Sequence, residues 1–309
     1  MAVDNLVLEP RPVEAPFLYR VSRRLEEYVM LMRLNRPVGI WLLLWPTLWA
    51  LWIAGSGRPD PKVLVIFVVG TVLMRSAGCV INDFADRNVD PHVKRTRERP
   101  LAARRASPHE ALVLFIVLCL AALAVVLQLD AFTIRLAVIG VLLTISYPFL
   151  KRFFPLPQFY LGLAFGWAVP MAFAAQLGEL PRIAWVLFLT TVLWAGIYDT
   201  LYAMADREDD LKIGVKSSAI LFADLDKLIV GVMQAMMLFA LLLAGRSMNF
   251  GPWYNAGIVA AGVFFLYQQW LIRAREPQEC LKAFINNQYV GLSIFVGIVL
   301  QYIYSEPAG

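Results

Sequence analysis

Residues 63–90 read VLVIFVVGTVLMRSAGCVINDFADRNVD. The part from 63 to 82 is almost wholly apolar and long enough, at roughly 20 helical residues, to cross about 30 Å of hydrocarbon. It runs without a break into an acidic segment where Asn82, Asp86 and Asp90 recur at every fourth position. On a helix such positions lie one above the other, so the span is expected to end in a polar stripe.

Reading outward, comparable apolar runs occupy 38–54, 111–129, 133–150, 158–176, 184–202, 228–244, 254–272 and 288–305. With 63–82 they predict an all-α polytopic membrane protein of nine transmembrane helices. Composition agrees: 60% of the 309 residues are hydrophobic and 17% charged, against about 25% charged in soluble domains. Pro170, inside the fifth run, predicts a bend or half-helix whose backbone borders a cavity. Residues 1–36 read as an N-terminal leader, with an amphipathic helix over 17–35 lying along the membrane face, and residues 37–309 as a single transmembrane domain. Glu9, Glu14, Glu26 and Glu27 among the arginines argue against a secretory signal or a mitochondrial presequence.

The net charge of +5 does not point to nucleic acid, because Lys and Arg fall between the apolar runs. With the N-terminus inside, 22 of the 28 basic residues lie on the cytoplasmic side and five on the other, and Arg75 lies within a span. That asymmetry predicts an N-in, C-out topology, and a leader unlike a presequence favours a bacterial inner membrane, with the mitochondrial inner membrane as the lesser alternative.

A second acidic motif follows the sixth run: YDTLYAMADREDD, residues 198–210. Asp206 and Asp210 repeat at four, and Asp199 and Tyr202 extend the same helix face deeper into the span. Carboxylates stacked this way repel and need a counter-charge. An oxygen-only set (Asn82, Asp86, Asp90, Asp206, Asp210) suits Mg²⁺, whereas a zinc site would draw on His or Cys. Two stripes facing across a cleft would hold a diphosphate between metal ions. Asp83 is offset from its stripe and is left open as a further ligand, while Glu98, Asp209, Asp224, Asp226, Glu276 and Glu279 read as solvated loop acids. Asp199, costly at its depth, would accept a proton or orient a hydroxyl.

The two motifs, N-x-x-x-D-x-x-x-D at Asn82 and D-x-x-x-D at Asp206, resemble those of the UbiA superfamily of intramembrane aromatic prenyltransferases. Residues 33–39 (RLNRPVG), the segment from Asn82 to Leu101, YPFLKR at 147–152 and the stretch 198–210 are similar to its 4-hydroxybenzoate branch, and the likeness runs from about Arg33 to the last span. The resemblance implies helices around a central cavity under a polar cytoplasmic cap, Mg²⁺ as cofactor, and transfer of a polyprenyl group from polyprenyl diphosphate to 4-hydroxybenzoate in ubiquinone biosynthesis. It implies catalytic roles for Asp86, Asp90, Asp199, Asp206, Asp210 and Tyr147. Substrate contacts are expected from Arg36, Asn82, Arg75, Lys151, Arg95, Arg97 and Tyr202, with Arg99 as a further phosphate clamp. Arg36 and Arg75 are alternative partners for the acceptor carboxylate, and Trp41, Trp45, Trp49 and Trp52 either line the tunnel or pack against lipid and helices. Another aromatic acceptor within the superfamily is the nearest alternative. A transporter or a quinone-binding subunit is the alternative from another class, and no protein partner or prenyl length is implied.

Overall fold

The computed structural model describes residues 17–93, 96–150, 156–214 and 217–304. Among them the regular structure is entirely helical. An amphipathic α1 (Phe17–Leu31) leads into α2 (Val38–Ala54), α3 (Pro61–Asp86), α4 (Pro108–Val126), α5 (Ala131–Leu150), α6 (Pro157–Gly166), α7 (Ala168–Leu177) and α8 (Arg182–Ile213). A single turn, α9 (Ser218–Leu221), precedes α10 (Asp226–Ser247), α11 (Pro252–Leu271) and α12 (Pro277–Tyr304). Among the described residues eight segments, with α6 and α7 counted as one, are long and apolar enough to cross a membrane, and α2, at 17 residues, is the shorter ninth.

Helix starts are written in the local sequence. Asp60 caps α3 by accepting from the backbone N–H groups of Lys62 and Val63, with Pro61 in the first turn. Ser107 and Glu110 form a reciprocal capping box at the start of α4. Between α6 and α7 the chain is interrupted at Trp167. Pro170 accounts for the break, since it removes the N–H that would bond Gly166 and its ring crowds that carbonyl.

Two helices extend beyond the apolar runs that predict them. α8 does not stop near residue 202 but runs on to Ile213, 32 residues in all, ending on Gly214 in the left-handed conformation (φ 71°). α12 begins at Pro277, eleven residues before the predicted span, because Asn286 and Asn287 are buried rather than in a loop. Asn287 accepts from the Trp194 indole at 2.9 Å. Asn286 ends a chain of side-chain amides, Gln269 to Gln234 to Gln268 to Asn286, at 2.9–3.0 Å. Such bonds join α10, α11 and α12 and satisfy side-chain amides inside the bundle.

α1 packs Tyr28 and Leu31, with Met32 just beyond its end, against α3 and α4 and leaves Val21, Leu25 and Val29 exposed at four-residue intervals. Its polar side is tied down by Arg105 on Glu27 (2.9 Å) and Arg24 on Glu110 (3.2 Å). The tryptophans of α2 take the packing alternative. Trp49 is buried, stacks on Trp194 and donates to the Gly291 carbonyl, while Trp45 stacks on Trp41 and meets Phe295. None of the four lines the central cavity.

Candidate active site

A cavity of about 1680 Å³ lies among α2 to α8 and α12. α3 contributes a continuous stripe to its wall, with Ile66, Phe67, Gly70, Thr71, Met74, Arg75, Gly78, Cys79, Asn82, Asp83 and Asp86 spaced as one helix face. The acids mark one end. Because α4 starts near that end and runs back, its last residues Val125 and Val126, and Ile134 at the start of α5, mark the other, which is apolar.

Both acidic motifs open onto the polar end. Asn82 and Asp86 come from the last turns of α3, and Asn82 donates to Asp86 at 3.2 Å. Asp199, Tyr202, Asp206 and Asp210 all line the cavity from one face of α8, as the periodicity predicts. Asp90 departs from prediction. α3 ends at Asp86, and Asp90 opens a 3₁₀ turn, Asp90–His92, so the first stripe is not helical throughout. Pro91 limits the helix: it has no N–H to bond the Arg87 carbonyl and its ring crowds that carbonyl, so the α-helix cannot run on through it. Asp90 still reaches the cavity, where it accepts from Arg99 at 2.9 and 3.1 Å. Burial pushes its carboxyl above the ordinary range, against the pull of Arg99.

Asp83, the offset acid, is a hub. It is buried and accepts both carboxylate contacts from Arg33, at 2.8 and 2.9 Å, and a third from Arg99 at 3.1 Å. Arg99 therefore bridges Asp83 and Asp90, and both guanidinium groups are held at the cavity wall. Arg33 was not among the expected substrate contacts; its signal was its place in the RLNRPVG stretch.

The remaining predicted residues separate. Arg36 and Tyr147 line the cavity, Tyr147 stacked on Tyr160. Arg75 lines it deeper, donating to Cys79 Sγ and lying 5.7 Å over the Phe165 ring, while its Nε is buried with no partner among the described residues. Gly39 makes room for it: a Cβ there would stand 2.5 Å from Nε and Nη2. Arg97 does not line the cavity; it is exposed and pairs with Glu98 at 3.6 Å. Arg95 and Lys151 lie outside the described residues.

Asp226 corrects the expectation of a solvated loop acid. It is fully buried, takes a two-pronged contact from Arg275 at 2.8–3.1 Å, and lies 3.6 Å from Arg207, the neighbour of Asp206. The pair thus fastens the acidic end of α8 to the α11–α12 turn.

No three His, Cys, Asp or Glu side chains converge as a ready metal cage among the described residues. The donor set nonetheless fits Mg²⁺, which takes one or two carboxylates and completes its octahedron with water and phosphate oxygens. The oxygens of Asn82, Asp86, Asp90, Asp206 and Asp210 border one mouth, with guanidinium groups beside them.

Comparison with known proteins agrees in fold and in sequence. The apo structure of a UbiA homolog from Aeropyrum pernix K1 superposes with a TM-score of 0.75 at 22% identity, covering 85% of this chain and 97% of that one. A UbiA homolog from Archaeoglobus fulgidus bound to GPP and Mg²⁺ gives 0.66 at 17% identity, covering 87% and 99%. In sequence, the chain is 59% identical over 283 residues to the 4-hydroxybenzoate octaprenyltransferase of Nitrosococcus oceani, covering 92% of this chain and 99% of that protein. Against the 4-hydroxybenzoate octaprenyltransferase of Methylococcus capsulatus it is 56% identical, with 93% and 98% covered. Residues 43–298 match the UbiA prenyltransferase family model, and with these relatives the chain belongs to the UbiA prenyltransferase family.

Proposed function

We propose that this protein transfers a polyprenyl group from polyprenyl diphosphate to the carbon ortho to the hydroxyl of 4-hydroxybenzoate, releasing pyrophosphate, in ubiquinone biosynthesis. The observation that carries it is one cavity with two chemistries: acids and guanidinium groups at its mouth, apolar wall to its far end. The similarity to 4-hydroxybenzoate octaprenyltransferases supports the choice of acceptor. A transporter would gather its ligands near the bilayer midplane, whereas these acids sit at helix ends.

Asn82, Asp86, Asp90, Asp206 and Asp210 would hold Mg²⁺. When bound, the metal neutralises the diphosphate and stabilises charge on the departing oxygen. Arg33 and Arg99, held at the cavity wall by Asp83, would add guanidinium contacts to the phosphate oxygens. Arg75 is the better partner for the acceptor carboxylate, because it carries a positive charge to the cavity wall within the span, where a cation is costly without an anionic partner. Tyr147 offers its π face to the allylic cation as the C–O bond breaks. The ring carbon then bonds to the prenyl carbon and loses its proton, for which Asp199, on the cavity face of α8, is the acceptor. The apolar walls keep water from capturing the cation. The chain would form a single transmembrane domain behind its leader, in a bacterial inner membrane, with the acids on the cytoplasmic side that the distribution of basic residues favours.

Membranes containing the protein, given several aromatic acids and prenyl diphosphates with Mg²⁺ or a chelator, are expected to yield 3-polyprenyl-4-hydroxybenzoate by mass spectrometry. Chelation and Asp86→Ala should each abolish it. Persistence of product in the Asp86→Ala protein would overturn the assignment.

A further inference from the structure

Most helical glycines of this protein sit where something passes close by. A Cβ at Gly162 would stand 2.8 Å from the Val192 carbonyl, at Gly257 2.9 Å from Gly297, and at Gly291 2.4 Å from the Trp45 ring. These glycines are explained by packing. Gly70 is different. It lies in the interior of α3, on the face that lines the cavity between Phe67 and Met74, and a Cβ built there would meet no heavy atom of the described residues within 4 Å. A glycine inside a helix is unfavourable relative to alanine, and here no neighbour needs the space. The space belongs to the cavity.

Its depth is telling. Sixteen residues separate Gly70 from Asp86, about 24 Å along the helix. The eight-carbon backbone of a geranyl tail spans at most about 12 Å at about 1.5 Å per bond, and an octaprenyl tail is four times as long. A short tail anchored at the acids ends well before Gly70, and a long one that follows the cavity to its apolar end passes it. We infer that Gly70 is a specificity-determining position: its missing side chain keeps the channel open at the level that only long prenyl tails reach, so that the size of this one residue sets the longest donor accepted. The inference rests on the prenyl-donor reading above.

The test measures kcat/KM for geranyl and octaprenyl diphosphates, with 4-hydroxybenzoate as acceptor, in the unaltered protein and in Gly70→Ala, Gly70→Leu and Val69→Leu. Val69 is on the same turn but faces outward, clear of the cavity, and controls for disturbance of the helix. In Gly70→Leu the octaprenyl-to-geranyl ratio should fall by roughly tenfold to a hundredfold, the effect expected of overfilling an apolar site. Gly70→Ala should shift it in the same direction by less, and Val69→Leu should leave it in place. An unchanged ratio in Gly70→Leu would overturn the inference, as would a parallel loss of both donors in the Ala and Leu proteins. If the unaltered protein transfers neither donor, it is the donor reading that fails.

Discussion

Asp83→Asn is the substitution that best separates the roles open to the first acidic motif. It keeps the shape of the side chain and removes its charge. In the native protein that charge is 1% exposed and serves two guanidinium groups, Arg33 at 2.8 Å and Arg99 at 3.1 Å. Removing one partner of a buried pair costs about 3–5 kcal/mol, mostly because the other charge is stranded. Here the loss is tempered twice, since Arg33 is 24% exposed and Arg99 retains Asp90 at 2.9 Å. A destabilisation of about 2–3 kcal/mol is therefore expected. The two arginines also lose the group that aims them, so the KM for the prenyl diphosphate should rise about tenfold, equivalent to ~1.4 kcal/mol of binding. The Mg²⁺ concentration for half activation should barely move. The assays are thermal unfolding in mild detergent and a matrix of donor and Mg²⁺ titrations on the purified protein. A variant that melts like the native protein yet needs far more Mg²⁺ would refute the reasoning, because Asp83 would then be a metal ligand and not an anchor.

Gly39→Ala should act through Arg75, whose guanidinium it would displace from contact at 2.5 Å: the KM for 4-hydroxybenzoate rises about tenfold while that for the donor stays within about twofold. Equal effects on both substrates would sever the link between Arg75 and the acceptor. Asp226→Ala leaves Arg275 and Arg207, each about a quarter exposed, without their shared carboxylate and should cost about 2–3 kcal/mol in thermal unfolding experiments. Native-like melting of that protein would mean that the buried pair holds nothing.

Sequence reasoning reached the acids of the second motif because one regular helix carries them all. The i, i+4 rule applies without correction from Asp199 to Asp210. It failed at Asp90 because the same rule was extended past the end of α3, although Pro91 marked a limit. Pro170 served better, since the helix breaks one turn before it. Asp226 was illegible for another reason. Its partner Arg275 lies 49 residues away, and a lone acid between two spans looks the same whether water or a guanidinium group receives it. Asn286 and Asn287 fall just outside the 288–305 run for a similar reason: their bonds to Gln268 and Trp194 exist only once α11, α12 and α8 are assembled. Local periodicity thus gave the spans and motifs, whereas long-range polar pairing was visible only in the fold.

The unbroken course of α8 carries a consequence for the fate of the products. Its 32 residues measure about 48 Å, against about 30 Å of hydrocarbon, so the helix raises Asp206 and Asp210 toward the aqueous boundary while its lower turns stay in lipid. The reacting bond straddles two solvents. When it breaks, pyrophosphate is already at the water's edge, and the prenylated ring is attached to a tail that has never left the oil. The two products are sorted by phase at the moment they form, and neither has to cross the membrane to depart.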